Sequence, residues 1–218
     1  MKRALRSLLS LIFVIGVTVA LWPLMQNVYG HYRQYSLRAT WQAEAAQAPR
    51  GKVARIAKGV TSKSGSRALK SVAQSQPRPE KWPATRIIAR DIQLDTVVVQ
   101  GLSEADLRDG PGHAPASALP GAAGNCVIAG HRNVYGSWFS RINELEPGAT
   151  IQLRTTHNTF TYQVLGVDVV TDNDVSIMES SPDQSAAPRL TLITCTVPMT
   201  ANRIVVRAEM PVADESGE

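Results

Sequence analysis

The sequence predicts an all-β domain, a sandwich or barrel with short helices, carried behind an N-terminal transmembrane helix and a flexible linker. Three observations predict it. An apolar, uncharged run extends from Leu8 to Met25. A basic stretch poor in large apolar residues follows from Arg50 to Pro83. From Arg86 onward, short β-branched runs alternate with turn signals at the spacing of sandwiches and barrels. The expected divisions are a basic cytoplasmic N-terminus at 1–7, the anchor at 8–25, a juxtamembrane segment and basic linker at 26–85, and the folded domain at 86–218.

The first run is just long enough to cross the roughly 30 Å hydrocarbon layer as a helix. Lys2, Arg3 and Arg6 precede it, a leader shared by anchors and cleaved signal peptides. No small-x-small cleavage site follows, and the aromatic Tyr29 and Tyr32 suit a membrane interface. An uncleaved single-pass anchor in the cell membrane is therefore expected, its N-terminus cytoplasmic and the folded domain outside. His31 is read as an interface residue. Tyr29 to Gln47 mixes helix formers and favours a juxtamembrane helix, ended by Pro49 and Gly51. The following stretch cannot bury enough apolar surface to offset the entropy of ordering.

The net charge of +5 conceals a division. Residues 1–85 hold 14 Lys+Arg against 2 Asp+Glu, and residues 86–218 hold 9 against 16. The positive charge thus sits in the tether, where it either keeps the linker soluble or meets anionic lipid or wall polymer, the nearer partners; nucleic acid is not expected.

Candidate strands are 86–88, 96–100, 125–131, 150–155, 159–170, 189–194 and 202–210. Between them stand Gly110-Pro111-Gly112, Pro120-Gly121, Pro147-Gly148, Ser181-Pro182 and Pro198, each with turn chemistry. Helical patches are expected at Ser103 to Leu107 and Gly136 to Leu145.

Two cysteines, Cys126 and Cys195, lack CxxC spacing and metal-ligand companions, which argues against a redox motif or a zinc site. Cys195 closes the run Leu190-Thr191-Leu192-Ile193-Thr194 beside a loop, where a thiol meets ligands; a mid-strand thiol is usually core. To attack a carbonyl it needs thiolate character and a proton-transfer partner. His131 ends another strand, after Gly130, although a lone histidine is more often structural. Arg203 opens the final strand. A guanidinium there supplies fixed charge to an oxyanion, or else a surface ion pair. Counting alternation from His131 puts Cys126 on the opposite face, in the core. His113, in a Gly-Pro turn, and His157, at a hairpin tip, take structural readings. Asp172, Asn173 and Asp174, with Glu179 and Asp183, match no EF-hand loop and read as a solvated loop rather than a calcium site.

Thr191-Leu192-Ile193-Thr194-Cys195 resembles the TLxTC signature of sortases, and Arg203-Ile204-Val205-Val206 resembles their arginine strand. Gly110-Pro111-Gly112-His113, Pro120-Gly121, Gly124-Asn125 and Ala129-Gly130-His131-Arg132 resemble, in order, the segments leading to the sortase histidine, especially in classes D and E. The similarity runs from about Ile87 to Met210. It implies a closed eight-stranded β-barrel behind a membrane anchor, with Cys195, His131 and Arg203 catalytic and Thr194 a candidate substrate contact. It also implies cleavage of an LPxTG or LAxTG sorting signal between Thr and Gly through a thioester. The partners implied are surface proteins bearing that signal and an amine acceptor from a peptidoglycan precursor or a pilin, with no cofactor. Asn133, where many relatives have Asp, and Thr196-Val197-Pro198, in place of a more aromatic segment, point to a shifted substrate preference. The competing readings are an L,D-transpeptidase-like peptidoglycan enzyme, which lacks support because no Arg follows Cys195 as in SxGCxR-like segments, and an anchored non-catalytic barrel.

Overall fold

The computed structural model describes residues 2–48, 82–171, 187–197 and 200–211. Helix α1 runs unbroken from Lys2–Gln47 and contains Pro23; at 1.5 Å per residue it is about 69 Å long. Its stretch from Leu8 to Met25 is exposed and is long and apolar enough to cross a membrane.

Eight strands among the described residues close into a barrel: β1 (Thr85–Ala89), β2 (Leu94–Gln100), β3 (Gly112–His113), β4 (Asn125–Ala129), β5 (Thr150–Thr155), β6 (Thr159–Thr171), β7 (Arg189–Cys195) and β8 (Asn202–Glu209). Around the barrel the order is β1-β2-β3-β4-β7-β8-β6-β5, and β5 pairs back onto β1. The β2–β3 and β4–β7 pairs are parallel and the rest antiparallel. Closure removes the unpaired edges that make open sheets prone to aggregation. Alternate residues fill the interior, including Ile87, Ile128, Ile151, Leu153, Leu190 and Val206, all fully buried. A bulge between Val164 and Gly166 bends β6.

Two expectations change. Gly112–His113, read as part of a turn, is the short strand β3 that joins the two halves of the sheet. His113 is itself buried, its ring stacked on Trp82 with centroids 4.0 Å apart and its Nε2 3.0 Å from the carbonyl of Ala118. The second change is at Gly136 to Leu145, where only a 3-10 turn, Ile142–Glu144, forms. Tyr135, Gly136 and Ser137 have φ of 49°, 88° and 51°, the left-handed region that ends a right-handed helix before it starts. The other patch forms as expected: α2 (Glu104–Asp109) is closed by a Ser103–Asp106 capping box.

The half of α1 beyond Met25 docks on the barrel. Because β3 is two residues long, it pairs β2 only at Val99 and Gln100. The backbone of Val97 would be left unpaired on that side, and Gln34 satisfies it. Its Oε1 accepts from Val97 N at 2.8 Å, and its Nε2 donates to Val97 O at 2.9 Å and Asp109 O at 3.0 Å. Arg38, one helical turn on, donates to the carbonyl of Asp95, two residues back along β2. Four residues of helix and two of strand both advance about 6 Å, so the two rows stay in step. Arg33 bonds Asp109 at 2.9 Å, and the Trp41 indole donates to Ala84 O at 3.2 Å.

Candidate active site

Cys195 and Arg203 sit at facing ends of the neighbouring strands β7 and β8, and His131 lies two residues past the end of β4, on the other side of β7. In the β7–β8 pair Cys195 lies directly opposite Arg203. In the parallel β4–β7 pair Asn125 to Ala129 align with Arg189 to Ile193. Two bonds carry that pairing past the end of β4. Gly130 N donates to Ile193 O at 3.0 Å, and Thr194 Oγ1 donates to Gly130 O at 2.8 Å. His131 follows Gly130 directly, as Cys195 follows Thr194.

Alternation fixes the faces. Cys126, Ile128, Leu190, Leu192, Ile204 and Val206 point into the core. Cys195 and Arg203 are each an odd number of residues from the core residues of their own strands and so take the outer face. Cys126 is 1% exposed, and burial pushes its thiol up to about 12, whereas Cys195 is a half-buried free thiol. The Arg203 guanidinium is held through Nη1 on the carbonyls of Asn202 at 3.0 Å and Thr200 at 3.3 Å.

His131 lies on the loop from β4 to β5. Its Nε2 is buried without a hydrogen-bond partner among the described residues, and its ring centroid is 5.4 Å from that of Tyr135. Burial lowers its pKa; Glu104 opposes that shift and Arg108 adds to it. The neutral imidazole is thereby favoured. The loop is pinned at its far end, where Phe139 N donates to His131 O at 3.2 Å.

Thr194, expected to touch substrate, is 2% exposed, and its hydroxyl braces the ends of β4 and β7. His157 is exposed at the β5–β6 hairpin tip. His31 packs edge-on against Trp138, with centroids 5.0 Å apart, so it contacts the barrel. The acidic run from Asp172 to Asp183 lies outside the described residues, and no cluster among those described is built to hold a metal ion. Tyr135 went unread in the sequence; the turn-forming Tyr135-Gly136-Ser137 close after His131 was its only signal.

A groove of about 730 Å³ lies on the same outer face, toward the other end of β7 and β8. Asn125, Thr191, Val205 and Arg207 line it, facing Asp168 and Val170 of the bent β6. The Thr191 hydroxyl donates to Asn125 Oδ1 at 2.9 Å, and Arg207 pairs with Asp168 at 2.6 Å. Beyond Thr191 and Val205, the outer face of these strands leads to Cys195 and Arg203.

Fold and site together define a closed eight-stranded barrel with a thiol and a guanidinium at facing strand ends and an imidazole on the loop that follows the neighbouring strand. The sortase domain model matches residues 87–211. The chain belongs to the sortase family. It is 27% identical over 155 residues to Sortase A of Streptococcus agalactiae, covering 68% of this chain and 60% of that protein. To Sortase SrtE1 of Streptomyces coelicolor it is 39% identical over 101 residues, covering 43% of this chain and 29% of the relative. To Sortase D of Bacillus subtilis it is 31% identical over 119 residues, covering 54% and 57%. The chain thus spans less than two thirds of the length of these relatives. Among solved structures, it resembles a Clostridium perfringens Sortase D5 transpeptidase with a TM-score of 0.54 at 28% identity, covering 60% of this chain and 79% of that one. Sortase E1 of Streptomyces coelicolor, solved with a tripeptide in the active site, gives a TM-score of 0.54 at 28% identity, covering 60% and 89%.

Proposed function

We propose that this chain is a membrane-anchored cysteine transpeptidase that cleaves an LPxTG- or LAxTG-like sorting signal between Thr and Gly and transfers the protein to an amine. The observation that carries the reading is the alignment of Cys195 with Arg203 across one strand pair, with His131 two residues beyond the end of β4, the strand on the other side of β7.

The Cys195 sulfur attacks the Thr carbonyl carbon, and the thiol proton passes to the neutral His131 imidazole. Arg203 stabilises the tetrahedral oxyanion. Collapse breaks the C–N bond, His131 gives its proton to the departing glycine amine, and a thioester remains on Cys195. An amine of a peptidoglycan precursor or a pilin lysine then attacks the thioester, loses a proton to His131 and leaves as a new amide, restoring the thiol. With water in place of the amine the same sequence gives hydrolysis. The catalytic unit is 86–218, outside a cell membrane spanned by 8–25 with a cytoplasmic N-terminus.

The test is full-length protein with LPxTG and LAxTG peptides and an amine acceptor, followed by mass. The reading expects an acyl-enzyme on Cys195 and an amide product, both absent in Cys195→Ala and retained in Cys126→Ala. Turnover by Cys195→Ala at the wild-type rate would sink it.

A further inference from the structure

The loop that carries His131 is held by the anchor helix as well as by the barrel. Asn27 is two residues past the end of the apolar run. Its Oδ1 accepts from Gly136 N at 3.0 Å and from Ser137 Oγ at 3.3 Å. One turn on, Gly30 lies so close to the loop that a Cβ there would stand 2.3 Å from the Tyr135 carbonyl carbon and 2.4 Å from its oxygen. The Tyr29 ring meets the Tyr135 ring edge-on at 6.5 Å, and His31 does the same to Trp138 at 5.0 Å. Tyr135 in turn lies against the His131 ring, 5.4 Å between centroids. The segment that α1 grips is also the segment in left-handed conformation at Tyr135, Gly136 and Ser137. Such conformations persist in non-glycine residues only where their surroundings over-determine them, and here α1 supplies part of those surroundings.

We propose that Asn27 and Gly30 are positioning residues for the His131 loop, so that the anchor helix holds the imidazole in place. Neither residue reaches the reacting atoms; both act through Tyr135, Gly136 and Ser137. The inference rests on the catalytic reading of His131. It makes the juxtamembrane half of α1 part of the working enzyme, where the sequence alone reads a tether.

The chemistry of the contact selects the variants. Asn27 takes part here only as an acceptor, so Asn27→Asp keeps the bonds and Asn27→Ala loses them. Gly30→Ala favours the helix, because alanine is the better helix former. Any loss it causes therefore comes from pushing the loop away. Full-length wild type and the three variants, in detergent micelles, are assayed for turnover of a sorting-signal peptide. Each is also mapped by mass for modification of His131 by diethyl pyrocarbonate, which needs no activity.

Asn27→Ala and Gly30→Ala should lower kcat on the order of tenfold while KM stays within about twofold, because geometry at the reacting centre is lost and peptide binding is not. His131 should be modified several-fold faster in both, and Asn27→Asp should match wild type in both measurements. The proposal is overturned if Asn27→Ala keeps wild-type kcat and His131 modification, or if Asn27→Asp fails to recover what Asn27→Ala loses. Wild-type protein inert toward every sorting peptide would instead remove the transpeptidase reading. In that case an unchanged His131 modification rate across the variants would still overturn the contact.

Discussion

Cys195 and Arg203 are cross-strand partners, the last residue of β7 facing the second residue of β8 with both side chains on the outer face. Directly opposed residues of an antiparallel pair have Cβ atoms about 4.5–5.5 Å apart. On the proposed mechanism, this pairing is what would bring the guanidinium to an oxyanion formed at the sulfur. Arg203→Ala should lower kcat/KM on the order of a hundred-fold or more, the usual cost of losing an oxyanion donor. Arg203→Lys should recover little, since one ammonium does not reproduce the planar array of donors that also grips the carbonyls of Asn202 and Thr200. Recovery to near wild-type by lysine would reduce the role of Arg203 to bare charge.

The two thiols should separate in reactivity. Cys126 is 1% exposed and pushed up to about 12, so almost none is thiolate at neutral pH. Cys195 is half-buried at a strand end. Alkylation by iodoacetamide at pH 7.5, mapped by peptide mass, should label Cys195 and leave Cys126 unlabelled until the protein is denatured. Equal labelling in the native state would contradict the assignment of Cys126 to the core.

Most of the barrel was legible because its strands alternate, and the odd separation of Cys126 from His131 sorted the two cysteines correctly. β3 was not, because Gly112–His113 carries too few residues to show a period and lies among turn formers. Sandwich and barrel share the same alternation, so closure came from the family resemblance rather than from the pattern. The docking of α1 was hidden for a different reason. Its buried positions include Gly30 and Gln34, which leave no apolar stripe, and a polar amide that imitates a strand partner has no signature in composition. The pairing of Cys195 with Arg203 was legible in part, since both stand at strand ends in the sequence pattern. The loop contacts of His131 were not, since they join residues about a hundred positions apart, as in Asn27 with Gly136.

Stability should fall on mild acidification. Burial lowers the pKa of His113, with its bond to the Ala118 carbonyl opposing, and burial likewise lowers that of His131. Each folded-state pKa therefore lies below the unfolded value of about 6.5. Below that pH the unfolded chain takes up protons that the native state refuses, so the contribution is complete above about pH 6.5 and is lost as pH falls toward the folded values. Tm should be flat between pH 8 and 7 and decline toward pH 5.5, and His131→Gln should make that decline shallower. A Tm that rises on acidification through this window would contradict the buried neutral state of both rings.

The contact between Gln34 and Val97 gives the last prediction. Gln34 is 1% exposed and forms three bonds, two of them closing the backbone of a β2 residue that short β3 does not reach. Gln34→Leu keeps similar bulk but leaves Val97 N and O and the Asp109 carbonyl facing an apolar side chain. Each buried group left unsatisfied costs about 1–3 kcal/mol. None of the residues of the barrel's core cluster comes from α1, so the chain should escape most of that cost by undocking the helix and letting water reach β2. The expected result is therefore a small drop in Tm with a large rise in hydrogen exchange at Val97 and in protease cleavage between Gln34 and Gln47. Gln34→Glu should behave almost as badly, because a carboxylate still accepts from Val97 N but cannot donate to Val97 O or Asp109 O. A chain beginning at Lys81 should still unfold cooperatively, since it retains Trp82 stacked on His113, but with Val97 exchanging as it does in Gln34→Leu. Wild-type protection of Val97 in that shortened chain would show that the edge of β2 is closed by something other than α1.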